Sequence, residues 1–205
     1  MPSQSPKPQR TIGVLSPYLG GFYYGDVIRE LHRAARAAGI RLLSIRAGRR
    51  RPLSIPVALD LVDGWIVWND SINPIQLSDI VASGKPVVSM AHDFKLPLVT
   101  SIQADNRGAI IEATNYLIGQ GHRHIFFVGF LNEFDQSERL YGFRSALRQH
   151  GLPETPAYEV MVEESGYAGG LNACKALLAS GLPFTAVIAA TDLIAVGLMN
   201  HLIEA

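Results

Sequence analysis

Short apolar runs and longer segments of helical period alternate along the whole chain. The runs TIGVLS (11–16), RLLSI (41–45), WIVWN (65–69), PVVSM (86–90), VTSIQ (99–103), HRHIFFVGF (122–130), YEVMV (158–162) and TAVIAA (185–190) have the length and branched or aromatic content of buried strands. The segment FYYGDVIRELHRAARAAGI places Val27, Ile28, Leu31, Ala34, Ala35 and Ala38 on one helical face, and Gly39 ends it. Further helices are expected over 57–62, over 73–82 behind an Asn73-Pro74 start, and over 107–118, where Gly119 and Gly121 stop the turn. Others are expected over 139–150, with Leu140, Phe143, Ala146 and Leu147 on one face, from 167 to 179, and over 193–203. Strand followed by helix, with strands apolar throughout, predicts an α/β fold of doubly wound parallel sheets.

The crossing SIQADNRGAIIEATNYLIGQGHRHIFFVGFLNEFDQSERLYGF organises the rest. It reads as strand, helix, strand, then a polar loop over 131–138 before a helix opening at Arg139. In open α/β sheets, ligands collect beyond the carboxyl ends of the strands. Polar and aromatic residues stand at those ends: Tyr18, Tyr23 and Tyr24 after the first strand, Asn69 and Asp70 after the third, His92-Asp93-Phe94 after the fourth. Asp105 and Asn106 follow the fifth strand, Arg139 the sixth, and Thr191 and Asp192 the last. Carboxylates and amides exchange hydrogen bonds with hydroxyls, arginine forms forked pairs, and aromatic rings stack on a sugar or base. The competing reading is local: Asp105 and Asp192 suit the caps of the helices they precede. Arg139 at a helix start would oppose the helix dipole, which argues for a binding role.

Composition narrows the function. Of 205 residues 48% are hydrophobic and 18% charged, and the formal net charge is zero. That balance is unlike a segment that grips nucleic acid by itself, because phosphate binding needs concentrated Lys and Arg. The triple Arg49-Arg50-Arg51 reads as a solvated loop and residues 1–10 as a flexible tail or linker with no room for a helix-turn-helix. The single cysteine, Cys174, lies in an apolar helical pattern and reads as a core residue. No membrane span or secretory leader is apparent, so a cytoplasmic chain is expected. The sequence has no GxGxxG after its first strand, no GxxxxGK[ST] and no GxSxG, and His122 and His124 lack a carboxylate at metal spacing. No catalytic residue, metal site or cofactor is therefore expected.

Beyond this reading, the chain resembles the effector-binding domain of the LacI/GalR regulators, a periplasmic-binding-protein-like fold. The resemblance rests on TIGVLSPYLGGFYYGDVIRELHRAARAAGI, LVDGWIV, DNRGAIIEATNYLIGQGHRHIFFVG, SERLYGFRSAL and ESGYAGGLNACKALLASGLPFTAVIAATDLIAVGLMNHL, in family order. It implies a tail over 1–10, an N-terminal lobe over 11–103 and an incomplete C-terminal lobe over 104–205. It also implies a small sugar- or nucleobase-like effector, closure of the lobes around it, and a homodimer. Its binding positions match Tyr23, Asp105, Arg139 and Met161; the family's usual Asn before Asp192 is Thr191 here. The family's DNA-binding headpiece is not in the chain, and its closing strands after Ala205 are not seen, so the chain is expected to be a fragment. Two outputs fit. The first is a ligand-sensing input domain of a cytoplasmic signalling protein, as in the headpiece-less subset joined to a GGDEF-type diguanylate cyclase. The alternative is the effector core of a DNA-binding transcription regulator, with DNA contacted only through a domain outside this chain.

Overall fold

The structure, a computed structural model, describes residues 9–48, 60–68, 71–130 and 133–204. Residues 1–8 of the expected 1–10 tail, the arginine triple, most of the 57–62 helix, and Asn69 with Asp70 lie outside them. The chain divides into two compact units, Met1–Gln103 and Ala104–Ala205.

In the first unit, strands β1 (Thr11–Ser16), β2 (Arg41–Arg46), β3 (Gly64–Trp68), β4 (Val87–Met90) and β5 (Val99–Ile102) form one parallel sheet in the order β2-β1-β3-β4-β5. Helices α1 (Phe22–Ala37) and α2 (Pro74–Ala82) are crossovers. Helix α2 starts as the sequence predicts: the Asn73 side chain accepts from the Gln76 amide at 2.9 Å, with Pro74 in the first turn. Leu15, Trp65, Val67, Ile72, Leu77 and Ile80 form the core on this side of the sheet. The apolar stripe of α1 is narrower than its sequence pattern. Ile28 is buried and Val27, Leu31 and Ala35 half-buried, but Ala34 and Ala38 are exposed. The two short alanine side chains lie on the flank of the stripe that faces solvent.

In the second unit, α3 (Asn106–Gly119), β6 (Ile125–Gly129), α4 (Phe134–Gln149), β7 (Glu159–Met161), α5 (Tyr167–Ala179), β8 (Ala186–Ala189) and α6 (Asp192–Glu204) build a parallel sheet in the order β7-β6-β8. Helix α3 runs through Gly119, and Gly121 takes the φ of 96° that lets the chain turn back. Every residue of β6 is buried because both faces are covered. Ile125 and Phe127 join Phe143 and Leu147 of α4, whereas Phe126 and Val128 join Cys174 and Leu177 of α5 and Ile194 of α6. This is the physical reason for a continuous rather than alternating apolar run. Cys174 is a buried core residue.

One boundary differs from the sequence expectation in a way that matters. Helix α4 begins at Phe134, so 134–138 is helical rather than a loop. The cause is a tertiary bond: Gln136 is fully buried, its Oε1 accepts from the Phe130 amide at 3.0 Å, and its Nε2 donates to Glu133 at 2.9 Å. A glutamine in a polar stretch reads as loop until its partner at the end of β6 is known.

Candidate functional site

Each sheet has one place where the strand order reverses, between β1 and β3 in the first unit and between β6 and β8 in the second. In open α/β sheets such a reversal is where a crevice forms, because successive crossovers leave on opposite faces.

At the first reversal, aromatic rings gather. Trp68 ends β3 and is buried; Tyr24 lies 4.6 Å from it and Tyr23 5.6 Å, centroid to centroid. Tyr18 packs on Tyr24 at 5.1 Å. Tyr18 is 48% and Tyr23 65% exposed, so the cluster has a buried base and an open rim. The structure thus brings the three predicted tyrosines together, on a tryptophan that sequence reasoning left as a strand residue. Its signal was its place as the last apolar residue of WIVWN. Two residues past the end of β4, His92 stacks on Phe94 at 4.0 Å.

At the second reversal, Arg139 is the hub. Because α4 starts five residues earlier, Arg139 sits in its second turn, and opposition to the helix dipole is not what explains it. Its contacts do. Nε donates to Asn106 Oδ1 at 2.9 Å, Nη2 to Asp135 Oδ2 at 3.1 Å, and Nη1 to the carbonyl of Ala190. The guanidinium thereby ties the start of α3, the first turn of α4 and the end of β8. Among the described residues, three of its five N–H groups are engaged. The side chain remains 23% exposed.

The other strand-end residues of this unit make local contacts. Asp105 is exposed and caps α3, accepting from the Gly108 amide at 2.8 Å. A Cβ at position 108 would lie 2.2 Å from Asp105 Oδ2, so a larger residue there would require the capping carboxylate to shift. Thr191 caps α6: its Oγ1 accepts from the Ile194 amide at 3.3 Å and its carbonyl from Ala195. Asp192, expected as the capping residue, is instead the first residue of α6 and accepts from the Leu193 amide at 2.8 Å. Met161 ends β7 and is 38% exposed. With Val162, Glu163, Glu164 and Asn172 it borders a cavity of about 500 Å³. This cavity lies at the β7 edge, whereas Arg139 bonds beyond β8, on the other side of β6. Asp135 and Gln136 were missed at the sequence level. Asp135 stands four residues before Arg139, the spacing of a helical ion pair. That signal is legible only once the helix is known to start before it.

The second unit offers N–H donors and carboxylate acceptors at its reversal, and the first unit offers aromatic faces at its own. Each set is of a kind that can hold a polar molecule.

A protein-family model described as periplasmic binding proteins and sugar binding domain of LacI family matches residues 9–204. Catabolite control protein A of Priestia megaterium is 24% identical over 200 residues, covering 95% of this chain and 60% of that protein. The HTH-type transcriptional regulator GntR of Escherichia coli (strain K12) is 28% identical over 194 residues, covering 92% of this chain and 57% of its own length. Among solved structures, the transcription regulator GntR from Chromobacterium violaceum superposes with a TM-score of 0.82 at 21% identity, over 95% of this chain and 73% of that one. The chain thus spans about 60% of the length of the curated relatives it matches.

Proposed function

Because the chain belongs to the family of periplasmic binding proteins and LacI-family sugar-binding domains, we propose that it is the effector-binding core of a transcription regulator that responds to a small polar molecule such as a sugar or nucleoside. The relatives named above are a catabolite control protein and a helix-turn-helix regulator. They favour this reading over an input domain linked to a diguanylate cyclase. Its role is to bind, not to catalyse. DNA contact through a helix-turn-helix domain outside this chain, and a homodimer, are part of the proposal. The binding groups we assign in the first unit are Tyr18, Tyr23, Tyr24 and Asn69. In the second they are Asp105, Arg139, Met161, Thr191 and Asp192. An effector acts through the difference in its affinity for two states of the protein, so the output depends on that difference and not on affinity alone.

The observation that carries the reading is Arg139, held at the strand-order reversal with N–H groups to spare. Isothermal titration calorimetry of the chain against neutral sugars and nucleosides tests it. Arg139→Ala and Asp105→Ala are expected to weaken binding at least tenfold while both variants stay folded, although loss of the Asp105 cap costs about 1 kcal/mol of stability. Unchanged affinity in both variants would overturn the site assignment.

A further inference from the structure

We infer that Asp135 fixes the charge class of the effector: it holds the Arg139 site electrically neutral, so that the site takes an uncharged, polyhydroxylated molecule and rejects the phosphorylated or carboxylated form of the same molecule. This inference rests on the effector-binding reading above. An arginine in a crevice is ordinarily the forked partner of a phosphate or carboxylate. Here a carboxylate of the protein already lies against the guanidinium, one oxygen of Asp135 accepting from Nη2. Asp135 Oδ2 lies 3.1 Å from Arg139 Nη2, and the two side chains are only 16% and 23% exposed, so water screens the pair weakly. An incoming phosphate would have to displace Asp135 or lie beside it as a like charge.

The helix starts around Arg139 point the same way. The amino end of a helix carries partial positive charge and commonly receives an anion. At α3 that position is filled by Asp105, which accepts from the Gly108 amide. Asp135 lies in the first turn of α4. Asp192 lies in the first turn of α6 and accepts from the Leu193 amide. The positive ends of α3 and α6 are thus each matched by a protein carboxylate before any ligand arrives, while Asp135 serves both the α4 end and the guanidinium. Hydroxyl groups suit what is left, because they donate to carboxylates and accept from the N–H groups of Arg139 that its protein partners do not use. Asp135 acts here through Arg139, as a positioning residue.

The test is calorimetric titration of the whole chain with matched pairs: glucose and glucose 6-phosphate, glucose and gluconate, ribose and ribose 5-phosphate, adenosine and its 5′-monophosphate. For the wild type, the neutral member of the pair that binds is expected to bind at least tenfold more tightly than its charged counterpart. Asp135→Asn keeps the shape and removes the charge. It is expected to shift that ratio at least tenfold toward the charged member, with Asp135→Ser as a second variant should the first fold poorly. Equal weakening of both members by both variants would give Asp135 a purely structural role and overturn the inference. Tighter binding of the charged member by the wild type would overturn it while leaving the effector reading intact. Binding by no member of any pair would overturn the effector reading and the inference with it.

Discussion

Replacing Gln136 by leucine tests the tertiary bond that starts α4. The side chain is fully buried, so its two hydrogen bonds have no water to replace them. Leucine is close in volume and leaves little cavity. What is lost is a neutral bond from the Phe130 amide, about 0.5–1.5 kcal/mol net, and a bond to the Glu133 carboxylate, about 1.5–3 kcal/mol. Greater apolar burial offsets about 1 kcal/mol of this. The expected net loss is therefore about 2 kcal/mol. In urea, with a slope of about 2 kcal/mol per molar, the midpoint should fall by about 1 M. Far-ultraviolet circular dichroism follows the transition, and the slope itself should not change. Since the bond anchors the turn that carries Asp135 and leads to Arg139, the variant should also bind effector more weakly while still folded. A stability within about 0.5 kcal/mol of the parent, the range of an ordinary surface change, would refute the argument that Gln136 rather than local sequence sets the start of α4.

Two further outcomes follow from the packing and the charges. Gly170→Ala should destabilise the second unit by at least about 2 kcal/mol in the same denaturation assay, despite the better helix propensity of alanine. The added Cβ would lie 2.3 Å from the Ile194 carbonyl oxygen and 2.7 Å from the Leu198 nitrogen, backbone atoms that cannot rotate away. The carboxyl of Asp93 is held below its ordinary value of 3.8 chiefly by the Lys95 side chain, and that of Glu154 below 4.5 chiefly by Arg148. Groups with lowered folded values contribute stability that is present above the ordinary value and lost as pH falls through the lower one. A small acid-side decline in thermal midpoint, beginning near pH 4.5 and reduced in an Asp93→Asn, Glu154→Gln variant, is expected; an unreduced decline would assign it to other carboxylates.

The alternation of apolar runs and helical periods was enough to foresee parallel sheets, because strands buried on both faces must be apolar throughout, as IFFVG of β6 is. The start of α2 was legible too, since an Asn-Pro cap acts within three residues. Asp105 at a helix start was equally legible as a cap, and it is one. The family likeness could also be read from the residues alone, being spread along nearly the whole chain. What the sequence could not determine was any arrangement whose partners lie far apart in it. The bonds that define Arg139 reach 33 residues back to Asn106 and 51 forward to Ala190. The base of the tyrosine cluster, Trp68, comes from another strand. The start of α4 rests on a shorter reach, six residues from Gln136 back to Phe130, but one that no helical or strand period reveals. Local signals act within a turn or a pleat and are written in neighbouring residues. The charge and donor geometry of the site arise only when the strand order brings separate ends together, and that is a property of the tertiary structure.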